Sequence, residues 1–292
     1  MKYNSGAQFR RALEDRLRTR NLQTGMPLIR LRKMVAFDRF LARLVVCQPD
    51  KWLLKGGFAL QLRLGEKVRT TKDIDMLALM PTQDVYPLLR QAGLIDLGDW
   101  FLYEVANSEE NNTDDFGGLR FPVRSLLAGR VFEIFHIDVG INDPVVDAPD
   151  MLSTPGLLQF ADIPPTLIPC YPLTQQIAEK MHAYTRPHPS GGSSRVKDFI
   201  DLLLIARLGE LEGKNLAQAL NATFAGRSTH HLPARIPDPP GDWEQSFKKL
   251  ANEVELGFAT IKDATRALEQ FLNPVLAGNV DQKWDPIDWG WR

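Results

Sequence analysis

The sequence contains only two cysteines, Cys47 and Cys170, and they lack the spacing of a metal-ligand pair. A disulfide-stabilised fold and a zinc site are therefore not expected, and both cysteines are predicted to be small, reduced core residues. The sequence also lacks a run of about 18 to 20 apolar residues, so no membrane-spanning helix is expected. No long apolar run follows the basic N-terminus, so a signal peptide is not expected either. We therefore expect a soluble, cytoplasmic protein without a membrane partner.

Net charge is also nearly absent, because 35 Lys and Arg residues are balanced by 36 Asp and Glu residues. The charge is nevertheless segregated along the chain. Residues 1–50 carry eleven Lys and Arg against four acids, which gives +7 and leaves −8 for the remainder. A segment this basic can bind a nucleic-acid backbone or an acidic partner, or it can form the solvated face of an arginine-rich helix.

The apolar pattern predicts an α+β fold with two domains. Helical periodicity covers residues 7–20 and 28–46, short strands and helices alternate up to about residue 155, and helices dominate from Thr174 onward. We predict a small mixed β-sheet with flanking helices, followed by a helical C-terminal domain. A proline-rich stretch at residues 155–172 places the boundary between a core at 1–155 and a helical domain at 156–292.

Two features of this pattern lead to specific expectations. Residues 119–127 and 131–141 predict a hairpin with its turn at Ala128-Gly129, in which His136 and Asp138 share one face of the second strand. After the proline-rich loop at 229–242, apolar residues at helical spacing up to Phe271 predict one long amphipathic helix. Three tryptophans near the C-terminus are expected to fold back as apolar anchors: Trp284, Trp289 and Trp291.

The stretch from Lys55 to Asp75 carries the clearest chemistry. A predicted strand leads into Lys55-Gly56-Gly57 and then a helix, and glycine lets a backbone approach phosphate oxygens closely at a helix N-terminus. Lys55 adds positive charge beside this turn. Asp73 and Asp75 lie two residues apart on a predicted strand, so both carboxylates project from one face. Paired carboxylates suit one or two Mg²⁺ ions that also bind nucleotide phosphates.

Asp138 is a candidate third carboxylate, because it lies on the second strand of the predicted hairpin. A single strand acid is more often a hydrogen-bonding group near a turn. A third inward carboxylate is, however, what a metal-binding acid pair requires, so both interpretations stay open.

Four blocks of sequence stand out together: KGGFAL at 55–60, RTTKDID at 69–75, QIAEKMHA at 176–183, and the pattern R-x-K-D-x-x-D-L at 195–202. In this order they resemble the AbiEii/AbiGii toxin family of the nucleotidyltransferase superfamily. The resemblance covers residues 52–206 and is closest to MenT-like members. It implies a nucleotidyltransferase core within residues 1–155.

This resemblance implies a function and a set of partners. It implies a toxin of a bacterial or phage-defence toxin–antitoxin pair, with a cognate antitoxin as partner and a nucleoside triphosphate as substrate. MenT-like members transfer pyrimidine nucleotides to the 3′ ends of tRNA and so block aminoacylation. The acceptor is expected to be tRNA or another RNA, and the expected cofactor is Mg²⁺, as one or two ions.

The resemblance also implies roles for individual residues. Gly56 and Gly57 would hold phosphate, and Asp73 and Asp75 would hold magnesium, with Asp138 as a further metal ligand. Lys180 would bind the triphosphate, and Asp201 would complete the catalytic set with Asp73, Asp75 and Lys180. The remaining nucleotide-binding candidates are Lys55, Arg69, Thr71 and Asp198.

Two further side chains have alternative interpretations. A phosphate on Thr71 would add nearly two negative charges beside the acids and oppose triphosphate binding, whereas the plainer interpretation is that Thr70 and Thr71 cap a turn. His182 lies on an apolar helix face and is interpreted as a structural histidine rather than a catalyst.

Other classes of protein share parts of this pattern. A nucleotidyltransferase acting on a protein hydroxyl, and a glycosyltransferase with an Asp-x-Asp motif, both use paired acids. The Lys55-Gly-Gly turn and Lys180 argue against the glycosyltransferase. A non-catalytic interaction protein is disfavoured because Asp73 and Asp75 form a costly like-charge pair.

Overall fold

The computed structural model describes residues 2–65, 69, 71–107, 118–187 and 195–292. These residues form two compact units. The first comprises the described residues within 1–62, 70–142 and 151–170, and the second comprises those within 63–69, 143–150 and 171–292. The chain therefore passes from one unit to the other more than once.

The elements up to residue 170 are four α-helices, a short 3-10 helix at Gln159–Ala161 and seven strands in the described part of the chain. The helices are α1 (Gly6–Thr24), α2 (Leu28–Cys47), α3 (Gly56–Leu64) and α4 (Thr82–Gly93). The strands are β1 (Trp52–Lys55), β2 (Ile74–Ala78), β3 (Phe101–Val105), β4 (Leu119–Leu127), β5 (Arg130–Ile141), β6 (Asp150–Ser153) and β7 (Leu167–Cys170).

The seven strands form one mixed sheet in the order β3-β4-β5-β2-β1-β7-β6. β2 runs parallel to β5 and antiparallel to β1, whereas β4 runs antiparallel to both β3 and β5. The predicted mixed sheet with flanking helices is thus confirmed, and so is the hairpin of β4 and β5.

Helix α2 covers one face of this sheet. It packs against β5 and β7, and its Phe37 ring centroid lies 4.9 Å from that of Phe135 on β5. Phe135, Ile137 and Val139 are buried on this face. Because side chains alternate along a strand, His136 and Asp138 project from the opposite face.

Helix α1 has the ends that its sequence predicts. The Ser5 side chain accepts a hydrogen bond from the Gln8 N–H at the start, and Gly25 adopts a left-handed φ of 73° at the end. The apolar stripe is buried as expected: Phe9, Leu13 and Leu17.

The chain from residue 171 onward is mainly helical. Its helices are α5 (Leu173–Thr185), α6 (Val196–Ile205), α7 (Gly213–Arg227), α8 (Glu244–Glu253) and α9 (Ile261–Leu276). The described residues also contain three short strands that the sequence did not predict, β8 (Leu211–Glu212), β9 (Lys283–Asp285) and β10 (Gly290–Trp291). These form a separate antiparallel sheet in the order β10-β9-β8.

The prediction of one long helix up to Phe271 is wrong. The chain breaks between α8 and α9, where Glu255 and Gly257 adopt left-handed φ values of 52° and 78°. Thr260 then caps α9 by accepting a hydrogen bond from the Asp263 N–H. The apolar spacing continues through this break, so periodicity alone could not reveal it.

The aromatic C-terminus folds back as predicted. Trp284 is fully buried, and its indole N–H donates to the Ala206 carbonyl. Trp289 and Trp291 donate to the carbonyls of Ala267 and Phe271. These contacts anchor the tail to the second unit through both apolar area and hydrogen bonds.

Both cysteines are free, with Cys170 buried and Cys47 half-buried. Among the helices in the described ranges, none combines the length and apolar character needed to cross a bilayer.

Candidate functional site

The turn between β1 and α3 requires glycine. Gly56 has a φ of +65°, and a Cβ at this position would overlap Oδ2 of Asp75. Any other residue would therefore be strained by its backbone conformation and would also displace the carboxylate. The sequence predicted that phosphate oxygens approach this turn, and the group that lies against Gly56 in the structure is the Asp75 carboxylate.

Asp75 also meets the start of α3. The backbone N–H of Gly57 donates to its Oδ2 at 3.3 Å. Helix N-termini carry a partial positive charge and unpaired N–H groups, so an anion is stabilised there. The glycine turn and the acidic strand, which are separated in the sequence, thus form one local arrangement.

Four charged residues form a row across four neighbouring strands. Lys55 on β1 lies opposite Asp75 on β2, Asp75 lies opposite Asp138 on β5, and Asp138 lies opposite Arg120 on β4. Residues paired in this way project from the same face of a sheet. The row therefore has two carboxylates at its centre and one cation at each end.

Asp73 lies one residue before β2 rather than within the strand, so the predicted start of that strand is wrong by one residue. The contacts of its carboxylate explain its position. Oδ1 accepts the backbone N–H of His136 at 3.2 Å and lies 3.2 Å from the ring Nδ1 of that residue. Oδ2 accepts from Nη2 of Arg120 at 3.1 Å. Asp73 is thus tied to both β4 and β5.

Arg120 is a site residue that the sequence did not predict, although it contacts two of the predicted acids. Besides Asp73, its Nη1 lies 3.3 Å from Oδ2 of Asp138. The alternation on β5 did place His136 beside Asp138, but no role was assigned to it. The sequence offered one indication of Arg120, because this residue lies on the hairpin strand that pairs with the strand carrying Asp138.

The donor chemistry of the acidic row suits a hard divalent cation. Asp75 and Asp138 lie on one face of two adjacent strands, and Asp73, just before β2, shares the Arg120 guanidinium with Asp138. Within the described ranges, no group of three or more His, Cys, Asp or Glu is arranged so that it could hold a metal ion by itself. Mg²⁺ usually takes one or two carboxylates together with substrate phosphates and water, so these acids fit the ion as partial ligands.

A second cluster lies in the second unit. Nζ of Lys180, on α5, is 2.8 Å from both Oδ1 of Asp198 and Oδ2 of Asp201 on α6. Arg69 adds two hydrogen bonds to Asp201, from Nε at 3.3 Å and from Nη2 at 3.0 Å. Arg195 lies 3.6 Å from Asp198 at the start of the helix. Four predicted site residues are therefore brought together here.

The ion pairs of this second cluster fix its charges. Burial alone would raise the pKa of Asp201, which is fully buried, but Lys180 and Arg69 hold it below its ordinary value. Burial alone would lower the pKa of Lys180, but Asp198 and Asp201 raise it above its ordinary value. A carboxylate held in this way is a poor proton acceptor.

Thr71 is nearly buried, and its hydroxyl donates to the carbonyl of Asp73 at 3.2 Å. This contact fits the interpretation of Thr71 as a turn cap, while Thr70 lies outside the described residues. His182 is buried, and its Nε2 lies 2.8 Å from Oγ1 of Thr229. Burial lowers its pKa from 6.5 to about 4, with smaller contributions from His230 and Arg227. His182 is thus the structural histidine that the sequence predicted.

Much of the basic N-terminal segment serves the fold itself. Arg43 is fully buried and forms two hydrogen bonds to Asp99, and Arg39 contacts the same carboxylate at 2.7 Å. Arg10 donates to three main-chain carbonyls at the turn of the β4–β5 hairpin. The cations left on the surface of α1 are Arg11, Arg16, Arg18 and Arg20. The positive charge that is exposed is therefore smaller than the composition indicates.

Comparison with known proteins connects this geometry to a family. A sequence model described as "Nucleotidyl transferase AbiEii toxin, Type IV TA system" matches residues 39–274. No curated protein matches the chain.

The chain is similar to several solved structures. MenT4, a nucleotidyltransferase toxin from Mycobacterium tuberculosis H37Rv, aligns with a TM-score of 0.51 at 17% identity, covering 91% of this chain and 98% of its own. JHP933 from Helicobacter pylori aligns with a TM-score of 0.45 at 14% identity, and the alignment covers 85% of this chain and 98% of JHP933. An antigenic nucleotidyltransferase-like protein from Paracoccidioides brasiliensis aligns with a TM-score of 0.43 at 15% identity. The alignment covers 76% of this chain and 92% of that protein. At these identities the similarity to MenT4 establishes the fold.

Proposed function

Because the chain belongs to the AbiEii nucleotidyl transferase toxin family of type IV toxin–antitoxin systems, we propose that it transfers a nucleoside monophosphate to the 3′ end of tRNA and thereby inhibits translation. The family makes it a nucleotidyltransferase and implies a nucleotide substrate and a cognate antitoxin. The proposed donor is an NTP, with a pyrimidine base favoured, and the proposed cofactor is Mg²⁺. The cytoplasm is the proposed location, since tRNA is found there.

One observation carries this proposal. Asp75 is held against the glycine turn by the Gly57 N–H and lies opposite Asp138 on the neighbouring strand. A carboxylate pair provides oxygen ligands for a cation, and the positive end of the helix dipole beside it favours an anion. A metal-bound triphosphate needs both.

In the proposed reaction, a hydroxyl oxygen of the acceptor attacks the α-phosphorus of the NTP. A new phosphorus–oxygen bond forms, the bond to the β-phosphate breaks, and pyrophosphate leaves with its electron pair. Bound Mg²⁺ would supply positive charge that offsets the charge building up on the phosphate oxygens. Asp73 and Asp75 would hold the ion, and Asp138 is the proposed third ligand.

The remaining predicted residues have proposed binding and positioning roles. Gly56 and Gly57, with Lys55 beside them, would bind phosphate at the α3 N-terminus. Lys180 would bind the triphosphate as a permanent cation.

Asp198, Asp201 and Arg69 are proposed as positioning residues for Lys180. Asp198 and Asp201 pair directly with the lysine ammonium group, and Arg69 pairs with Asp201. Asp138 and Asp201 are the proposed acceptors of the hydroxyl proton, and both are paired with cations, Asp138 with Arg120 and Asp201 with Lys180 and Arg69.

An acceptor survey tests the proposal. Each of the four α-labelled NTPs would be incubated with Mg²⁺ and the protein in the presence of total RNA or of a protein extract. We expect label from CTP or UTP in RNA of tRNA size, and none with the Asp73→Ala variant. Label found only in protein would overturn the tRNA acceptor, and label in neither fraction would overturn the enzymatic proposal.

A further inference from the structure

Arg120 lies between two acids of the proposed metal site. Its Nη2 contacts Oδ2 of Asp73 at 3.1 Å, and its Nη1 contacts Oδ2 of Asp138 at 3.3 Å. Two different nitrogens of one planar guanidinium are used, so the group bridges the two carboxylates. Its positive charge therefore occupies the position where these acids require a cation.

We propose that Arg120 is an exchangeable counter-ion of the acidic site. In the metal-free protein its guanidinium holds Asp73 and Asp138 together, and it leaves these carboxylates when a divalent cation binds. This inference rests on the proposed function, because it takes Asp73, Asp75 and Asp138 to be the metal-binding residues.

The need for a resident cation follows from the sheet register. Asp75 and Asp138 are paired on adjacent strands, which lie about 4.8 Å apart in any β-sheet. Asp73, two residues before Asp75, shares the Arg120 guanidinium with Asp138. Carboxylates this close repel one another unless positive charge lies among them.

The positions of the charges indicate that a divalent cation would replace Arg120 at these carboxylates rather than bind beside it. The Asp73 carboxylate already accepts Arg120 on Oδ2 and the His136 N–H on Oδ1. A divalent cation bound to both Asp73 and Asp138 would be in direct contact with the guanidinium, and the two positive charges would repel. The Arg120 side chain is 35% exposed, so it can move into solvent.

Arg124 offers a matched control on the same strand. It lies four residues from Arg120, projects from the same face, and pairs with Glu104 of β3 at 3.0 Å. Its side chain is 55% exposed. Replacing Arg124 removes the same charge from the same strand without altering the contacts of the acidic site.

The test measures Mn²⁺ affinity without nucleotide, using the electron paramagnetic resonance signal of free Mn²⁺ as the readout. Each exposed ion pair is worth up to about 1 kcal/mol, so Arg120→Gln should bind Mn²⁺ roughly three- to tenfold more tightly than the wild type. Arg124→Gln should match the wild type. Arg120→Lys, which keeps the charge but cannot bridge both acids, should lie between Arg120→Gln and the wild type.

A second readout guards against a folding defect. In EDTA, Arg120→Gln should unfold at a lower temperature than the wild type. Saturating Mn²⁺ should raise the unfolding midpoint temperature of Arg120→Gln by more than it raises that of the wild type. Unchanged or weaker Mn²⁺ binding by Arg120→Gln would overturn the counter-ion proposal. The proposed function would survive that result if Asp75→Asn still lost Mn²⁺ binding. Mn²⁺ binding that is indifferent to both Asp75→Asn and Arg120→Gln would contradict both proposals.

Discussion

Asp75 on β2 lies directly opposite Asp138 on β5, and both carboxylates project from the sheet face opposite α2. Lys55 and Arg120 flank this pair at the same level of the sheet. Repulsion between the two acids is therefore partly offset within the protein. This arrangement leads to the following expectations.

Gly56→Ala should disrupt both the fold and the activity. The left-handed backbone costs an alanine about 1–2 kcal/mol, and overlap with Asp75 should bring the total to roughly 2–5 kcal/mol. Urea unfolding measures this loss. Gly25→Ala is the control, because Gly25 has a φ of +73° and a Cβ added there would have nothing within 4 Å. Equal losses in the two variants would show that the Asp75 contact does not matter.

Lys180→Met should be strongly destabilising. Removing the ammonium group leaves Asp198 and Asp201 without their shared partner, and breaking a buried ion pair typically costs about 3–5 kcal/mol. Lys214→Met is the control, because its ion pair with Asp281 is exposed and should contribute little to stability. Chemical denaturation of both variants gives the comparison. A loss below about 1 kcal/mol for Lys180→Met would contradict the description of this cluster.

His182 should make stability depend on pH. Its folded pKa of about 4 lies below the ordinary 6.5, so the unfolded chain binds more protons between these values. The free energy of unfolding should therefore fall as the pH drops from 6.5 to 4, by up to about 3 kcal/mol from this residue. His182→Gln should flatten that part of the profile, whereas replacement of the exposed His231 should not. An unchanged slope in His182→Gln would refute this assignment.

Thr71→Glu should weaken nucleotide binding. The Thr71 hydroxyl bonds to the Asp73 carbonyl, so a carboxylate at residue 71 adds negative charge beside the acids that would hold a metal-bound triphosphate. Thr71→Val keeps the shape and adds no charge, and it should retain most of the affinity. Isothermal titration with each NTP and Mg²⁺ measures the difference. Full activity and affinity in Thr71→Glu would remove this proposed mode of regulation.

The sequence predicted the strand pair that carries Asp138 but not the residue opposite it. Counting from the predicted turn pairs Arg120 with Ile137. A β-bulge between Ser125 and Leu126 shifts the register by one residue and places Arg120 opposite Asp138. The bulge lets Phe132 and Phe135, an odd number of residues apart, both be buried. Only the packed core reveals this shift, since the strand pattern alone allows either register.

The charge of the N-terminal segment shows a second limit of the sequence. Composition revealed the excess of arginine but not where each guanidinium would lie. Arg43 and Arg39 belong to a buried cluster with Asp99, which lies far away in the sequence. Such long-range pairs depend on how α2 packs against the sheet. The glycine turn and the Asp73–Asp75 motif could be predicted because their chemistry is local.

The most direct test of nucleotidyl transfer follows the two ends of the triphosphate. The purified protein, Mg²⁺ and RNA would be incubated with the NTP that supports labelling, carrying label at either the α- or the γ-phosphate. We expect incorporation from the α-label alone, with one pyrophosphate released for each nucleotide added, and no incorporation by Asp75→Asn. Transfer of the γ-label to the acceptor, or equal incorporation by Asp75→Asn and the wild type, would contradict this account.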